Sequence, residues 1–365
     1  MRRVAVLAAL SAVLVAAPVW AADDTKKTDE KQADEKPLVT LKHDDFVYAV
    51  AFSPDGRQLL TGCEDKTARL WRAASGRPLA KLKHDAAVWT VAFSPDGRQL
   101  LTGSEDESAR LWEAASGKLL ATLEHDDCVH AVAFSPDGRQ ILTGSDDKTA
   151  RLWEAASGKH LATLKHDHFV YAVVFSPNGR QLLTASADNT ARLWEAASGA
   201  LVATLKHDDS VMALAFSPTG RQLLTGSNDK TARLWEAASG KPVATLKHDD
   251  FVSGVAFSPD SRQLLTGSMD KTARLWETAS GRPIATMKHD DRVLAVAFSP
   301  DGRLLLTASG NTARLWKAAS GKLLAKLKHH GVWGVAFSPD GQQQLTWGDK
   351  TARLWAAVSG EPRHD

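Results

Sequence analysis

The 365-residue chain is 43% hydrophobic and 24% charged, with 45 Lys plus Arg against 43 Asp plus Glu and a formal charge of +2. If residues 1–21 are removed as a leader, Arg2 and Arg3 leave with them and the balance becomes 43 against 43, so no net basic field remains to hold phosphates and nucleic acid is excluded as an expected partner. Two cysteines, Cys63 and Cys128, are too few for a disulfide framework and stand at non-equivalent places in different stretches of the chain, so they are not expected to pair.

Residues 1–21 open with Arg2-Arg3, run through apolar residues from Val4 to Val19 and end on Val19-Trp20-Ala21, a small-residue cleavage site before Ala22. This layout predicts a signal peptide and an exported protein, periplasmic or secreted, with no stable membrane anchor. Residues 23–36 are Asp, Glu, Lys, Thr and Gln with Ala33 as the one apolar side chain, so segment 22–36 is expected to be a disordered charged linker.

From residue 37 to 360 one unit recurs. Its Arg-Leu-Trp tripeptide places tryptophan at 71, 112, 153, 194, 235, 276, 316 and 355, a spacing of 41 residues that shortens to 40 and then 39. Eight tandem copies at this period mean a repeat architecture. In the fifth copy the apolar runs predict four strands: Val211 to Phe216, Gln222 to Thr225, Thr231 to Trp235 and Pro242 to Leu246. The first turn reads Ser-Pro-Thr-Gly here and Ser-Pro-Asp-Gly in most copies, with proline fixing φ and glycine supplying a positive φ. Such sheets are apolar on both faces and must cover one another, and radial stacking of them is a closed all-β propeller. The last copy ends at Ser359-Gly360 without a fourth strand, while Pro37 to Leu41 matches a fourth strand and precedes the first copy. An N-terminal strand completing the last of eight four-stranded blades is therefore expected, followed by a tail at 361–365.

The copies resemble the WD-repeat family. The shared motifs are the initial His-Asp, Phe-Ser-Pro-Asp-Gly, Thr-Gly-Ser-x-Asp-Lys-Thr, Ala-Arg-Leu-Trp and Ser-Gly-Lys. Two departures, Lys-His for the family's Gly-His and Trp-Glu for its Trp-Asp, as at Glu236, fall in or beside loops. The resemblance implies a buried structural tetrad in each copy, which in the fifth is His207, Thr225, Asp229 and Trp235. Copy seven breaks it, since Gly310 stands where the aspartate should be.

Variation among the copies is concentrated in three columns. Before the first strand stand Phe46, Ala87, Cys128, Phe169, Ser210, Phe251 and Arg292. Two residues on come Tyr48, Trp89, His130, Tyr171, Met212, Ser253, Leu294 and Trp333. Before the turn aspartate come Glu64, Glu105, Asp146, Ala187, Asn228 and Met269. In an up-and-down blade these positions share one end, and the opposite turns are nearly invariant. A fixed scaffold with one changing face rich in aromatics, Met and Arg suits a partner-binding surface. Paired acids such as Asp44-Asp45 and Asp290-Asp291 add negative charge at that end.

No single non-repeating constellation of nucleophile, base or metal ligands is found, so an enzyme is not expected. The regular histidines are spread one per copy, whereas metal ligands must converge on one ion, so no metal or other cofactor is expected. His130, His168 and His330 lie outside the regular series on the variable face. The expected function is that of a monomeric, non-catalytic exported scaffold for a protein or peptide. The alternatives are a propeller enzyme or a metal-binding periplasmic protein.

Overall fold

A computed structural model describes residues 36–356. The expected leader at 1–21, the linker up to residue 35 and the tail at 361–365 lie outside the described residues.

Eight antiparallel four-stranded sheets form, seven of them from four consecutive strands and the eighth from the last three strands and the first. In blade 5 the strands are Val211–Phe216, Gln222–Ser227, Thr231–Glu236 and Pro242–Lys247. The second strand runs two residues beyond the expected Thr225, because Ser227 anchors the reversal. Its hydroxyl donates to Asp209 O at 2.9 Å and accepts from the Asp229 N–H at 3.0 Å. The chain then turns on Lys230 at φ 68°. The first turn behaves as expected, with Gly220 at φ 69°.

The apolar cores lie between blades rather than within them. Leu183, Leu193 and Leu205 of blade 4 pack with Val211, Phe216, Leu223 and Trp235 of blade 5. Burying each such side chain contributes roughly 1.5–3 kcal/mol, which no isolated sheet could collect. From blade 1 to blade 8 the first strands of successive blades lie against each other around the axis, at the closing seam the first strand of blade 1 lies against the second strand of blade 8, and fourth strands form the rim.

The chain closes as expected. Val39–Lys42 pairs antiparallel with Thr351–Ala356, in the sheet that holds Gln343–Gly348 and Val332–Phe337. Leu41 is fully buried in a cluster with Val47, Trp71, Leu345, Trp347 and Leu354. Leu38 is bound only through its backbone, whose N–H donates to Leu354 O at 2.7 Å, and its side chain is 56% exposed. Pro37 precedes the strand, so its missing N–H removes nothing from the ladder.

The seam between blades 8 and 1 has its own wedge. Trp347 stands where blade 1 has Gly62, is 3% exposed, and donates its indole N–H to Tyr48 O at 3.2 Å. Gly334 makes room for it, because a Cβ there would sit 2.1 Å from the Trp347 ring.

Candidate functional site

The second variable column sits on a structural irregularity. In all eight blades the pairing of first and second strands skips one residue of the first strand. The skipped residue is Tyr48, Trp89, His130, Tyr171, Met212, Ser253, Leu294 or Trp333. Such a bulge re-aims one side chain without breaking the sheet. The first and third columns are tied by backbone bonds. Glu64 N–H donates to Phe46 O at 2.9 Å, Asp146 N–H to Cys128 O at 3.0 Å and Met269 N–H to Phe251 O at 2.8 Å. The three columns therefore meet at one end of the ring.

Over five of the eight blades that end is a continuous series of rings. Phe46 stacks on Trp333 with centroids 5.2 Å apart, Trp333 lies 5.5 Å from Tyr48, and Tyr48 lies 4.2 Å from Trp89 with planes 19° apart. Edge contacts continue it from Trp89 to His130 at 5.7 Å, from His130 to Tyr171 at 6.0 Å and from Tyr171 to Phe169 at 6.4 Å. Offset stacks and edge contacts are the favoured arrangements of aromatic pairs. Tyr48 is the buried member of the stack, and Phe46, Trp89, His130, Phe169, Tyr171 and Trp333 are half-buried. The Trp89 indole N–H is buried without a partner.

Acids edge this arc. Glu64 is half-buried and Glu105 exposed. Burial and then the Glu64 charge push the Tyr48 phenol well above its ordinary value, and burial and then Asp146 raise Tyr171. His130 Nε2 lies 2.9 Å from Asp146 Oδ2. Blades 5 to 7 carry the columns on as Met212, Phe251, Met269, Arg292 and Leu294, of which Phe251 and Arg292 are exposed, and no aromatic stack joins them.

The paired acids serve the scaffold more than the sequence suggests. The arginine of Arg-Leu-Trp reaches the first acid of the pair: Arg233 lies 2.9 Å from Asp208 and 3.0 Å from Asp229. The second acid caps the next turn, as Asp209 does for the Ser210 N–H at 2.6 Å. Much of the negative charge at this end is thereby matched within the blade. The opposite turns are closed on themselves: Ser53 Oγ donates to Asp55 Oδ1 at 2.6 Å, and the Arg57 N–H donates to the same oxygen at 3.0 Å.

The tetrads are complete in blades 2 to 6. In blade 5 the Trp235 indole donates to Thr225 Oγ1 at 2.9 Å, Thr225 lies 2.7 Å from His207 Nε2, and His207 Nδ1 lies 2.8 Å from Asp229 Oδ2. Burial holds His207 below its ordinary value despite Asp229. Burial raises Asp229, but hydrogen bonds from Thr231 and the Asp208 N–H outweigh it and leave the carboxyl low. A neutral imidazole assigns the bonds: Trp N–H to Thr, Thr O–H to Nε2, Nδ1–H to Asp.

The break expected in blade 7 is present, with His289 Nδ1 turned to Met287 O at 3.0 Å. Two further breaks go beyond the expected one, and that of blade 8 has a sequence signal in its turn, which is one residue short at Trp347-Gly348. His329 of blade 8 meets Thr346 through Nδ1 at 2.6 Å and Thr351 through Nε2 at 2.8 Å. His43 of blade 1 keeps Thr61 at 2.8 Å, but its Nδ1 has no partner. There Cys63 replaces the usual serine, and the Asp65 N–H reaches sulfur at 3.4 Å instead of a hydroxyl at 3.0 Å as in blade 5.

Comparison with known proteins covers most of the ring. The family described as WD domain, G-beta repeat matches residues 35–72, 76–113, 117–154 and 321–356, and the family described as IFT122 first beta-propeller matches residues 169–304. A crystal structure of the computationally designed Ika8 protein superposes with a TM-score of 0.79 at 24% identity, covering 88% of this chain and 99% of that one, a likeness of fold alone. Comparison with curated proteins finds no match. The repeating His-Thr-Asp-Trp arrangement and the matched copies on both sides of the ring together place the chain in the WD-repeat β-propeller family.

Proposed function

We propose that the protein is an exported, non-catalytic scaffold that binds a protein or peptide at the end of the propeller bearing the three variable columns. The observation that supports this most is the continuous arc of rings from Phe46 to Phe169, raised on bulges in five neighbouring blades while the opposite turns stay uniform. WD-repeat propellers typically serve as protein-interaction scaffolds, and a rigid aromatic arc edged by Glu64 and Glu105 suits a segment that offers an apolar side chain beside Lys or Arg. The N-terminal leader expected from residues 1–21 would deliver the scaffold out of the cytoplasm.

The test is selection of displayed peptides on the purified protein, followed by rebinding to variants. Trp89→Ala and Trp333→Ala should each weaken selected peptides by ~2 kcal/mol or more, as truncation of a hot spot does. Charge reversal at Arg57 and Arg98, on the opposite turns, should leave rebinding unchanged. Peptides that lose affinity only with the Arg57 and Arg98 changes would place the binding surface at the other end.

A further inference from the structure

Blade 3 differs from the other blades in chemistry. Its three variable positions hold Cys128, His130 and Asp146, all metal-ligand types. The same positions hold Phe46, Tyr48 and Glu64 in blade 1 and Ser210, Met212 and Asn228 in blade 5. No other blade has three ligand types in these columns. The fold brings them together by the backbone pairing of Asp146 with Cys128 and the bulge at His130.

Their ligand atoms lie within 4.8 Å of one another. His130 Nε2 and Asp146 Oδ2 are 2.9 Å apart, and the other carboxylate oxygen, Asp146 Oδ1, is buried with no hydrogen-bond partner. A desolvated lone pair beside an imidazole nitrogen and a thiol is an arrangement that a cation completes. The side chains of His130 and Asp146 are 15% and 18% exposed, so an ion can enter from solvent.

We propose that blade 3 binds a zinc ion through Cys128 Sγ, His130 Nε2 and a carboxylate oxygen of Asp146, leaving a fourth position for water or an incoming ligand. A mixed sulfur, nitrogen and oxygen set suits a borderline-soft ion without geometric preference, which favours zinc over calcium or magnesium. Zinc bonds of ~2.0–2.3 Å set tetrahedral ligands roughly 3.3–3.7 Å apart, within reach of small side-chain rotations here. On binding, the Cys128 thiol releases its proton to solvent, and the proton of His130 resides on Nδ1 so that the Nε2 lone pair faces the ion. The site does not depend on peptide binding and stands if that reading fails.

The experiment titrates metal-free protein with Co²⁺, followed by competition with Zn²⁺. A thiolate-to-cobalt charge-transfer band should grow to one equivalent and vanish as zinc displaces cobalt. Sister blades supply the variants, since serine, leucine and asparagine stand at the equivalent positions as Ser210, Leu294 and Asn228. Cys128→Ser should abolish the band. His130→Leu and Asp146→Asn should each lower zinc affinity by at least ~100-fold, because even outer partners of metal ligands are worth 10–100-fold. Cys63→Ser, in blade 1, should keep the band. Thermal unfolding of each variant without metal confirms that it folds. No cobalt band, a band that survives Cys128→Ser, or zinc affinity indifferent to both His130→Leu and Asp146→Asn would overturn the proposal.

Discussion

At the scale of single residues, the repeats act as internal controls on one another. Blade 1 has every tetrad residue, yet His43 Nδ1 is unpartnered, and its distinguishing neighbour is Cys63 where blades 2 to 6 have serine. A shorter hydroxyl contact would draw the Asp65 turn toward the imidazole. Cys63→Ser is therefore predicted to stabilise the protein by ~1 kcal/mol, the worth of a recovered hydrogen bond, as measured by urea unfolding. Asp229→Ala should do the reverse in blade 5 and cost ~1–3 kcal/mol by stranding His207. Equal stability of Cys63→Ser and the parent would mean that the sulfur is not what parts Asp65 from His43.

The same buried imidazoles set an acid limit. Burial, aided by the Arg69 charge for His43 and the Arg314 charge for His289, holds both at about 4 against 6.5, and burial with Arg353 holds His329 at about 3. These groups stay neutral in the fold while the unfolded chain takes up protons below 6.5, so stability falls as pH drops from about 6.5 toward 4 and below. Carboxylates add to this lower down, Asp270 being lowered from 3.8 to about 2 by hydrogen bonds that outweigh its burial. Thermal melts between pH 7 and 4 should show a steady decline in melting temperature. A flat profile would contradict the buried neutral histidines.

At the scale of elements, the strands were legible because turn chemistry brackets each apolar run, and the closing strand was legible because Pro37 to Leu41 repeats a fourth-strand pattern. Deleting residues 37–42 should lower the melting temperature far more than deleting 23–35, since Leu41 is buried at the seam. The wedge at that seam was visible only as a tryptophan outside the Arg-Leu-Trp series. Its role depends on Gly334, thirteen positions earlier, which no pattern links to it. Trp347→Ala is predicted to cost ~3–5 kcal/mol, the range for emptying a buried aromatic site. An unchanged melting temperature would mean that ring closure does not depend on the wedge. The bulges were also illegible, because the bulged position varies from Tyr to Ser and carries no signature. The pairing of Asp208 with Arg233 escaped notice because an invariant arginine in a strand reads as exposed charge.

At the scale of the whole molecule, near-identical blades make a ring whose two ends differ. One end repeats Ser-Pro-Asp-Gly and Ala-Ala-Ser-Gly turns; the other carries rings in mutual contact over blades 8, 1, 2, 3 and 4, and over the rest a mixed set, Met212, Phe251, Met269, Arg292 and Leu294 among them, that forms no such series. This asymmetry was readable in the sequence as three variable columns, whereas the ring-to-ring contacts needed the bulges. Amide hydrogen exchange with and without a selected peptide tests the central claim directly. Protection is predicted at residues 46–48, 64, 87–89, 105, 128–130, 169–171 and 332–333, with none at the turns 53–57 and 94–98. Protection confined to those turns or to the outer strands would contradict the assignment of the aromatic end as the binding face.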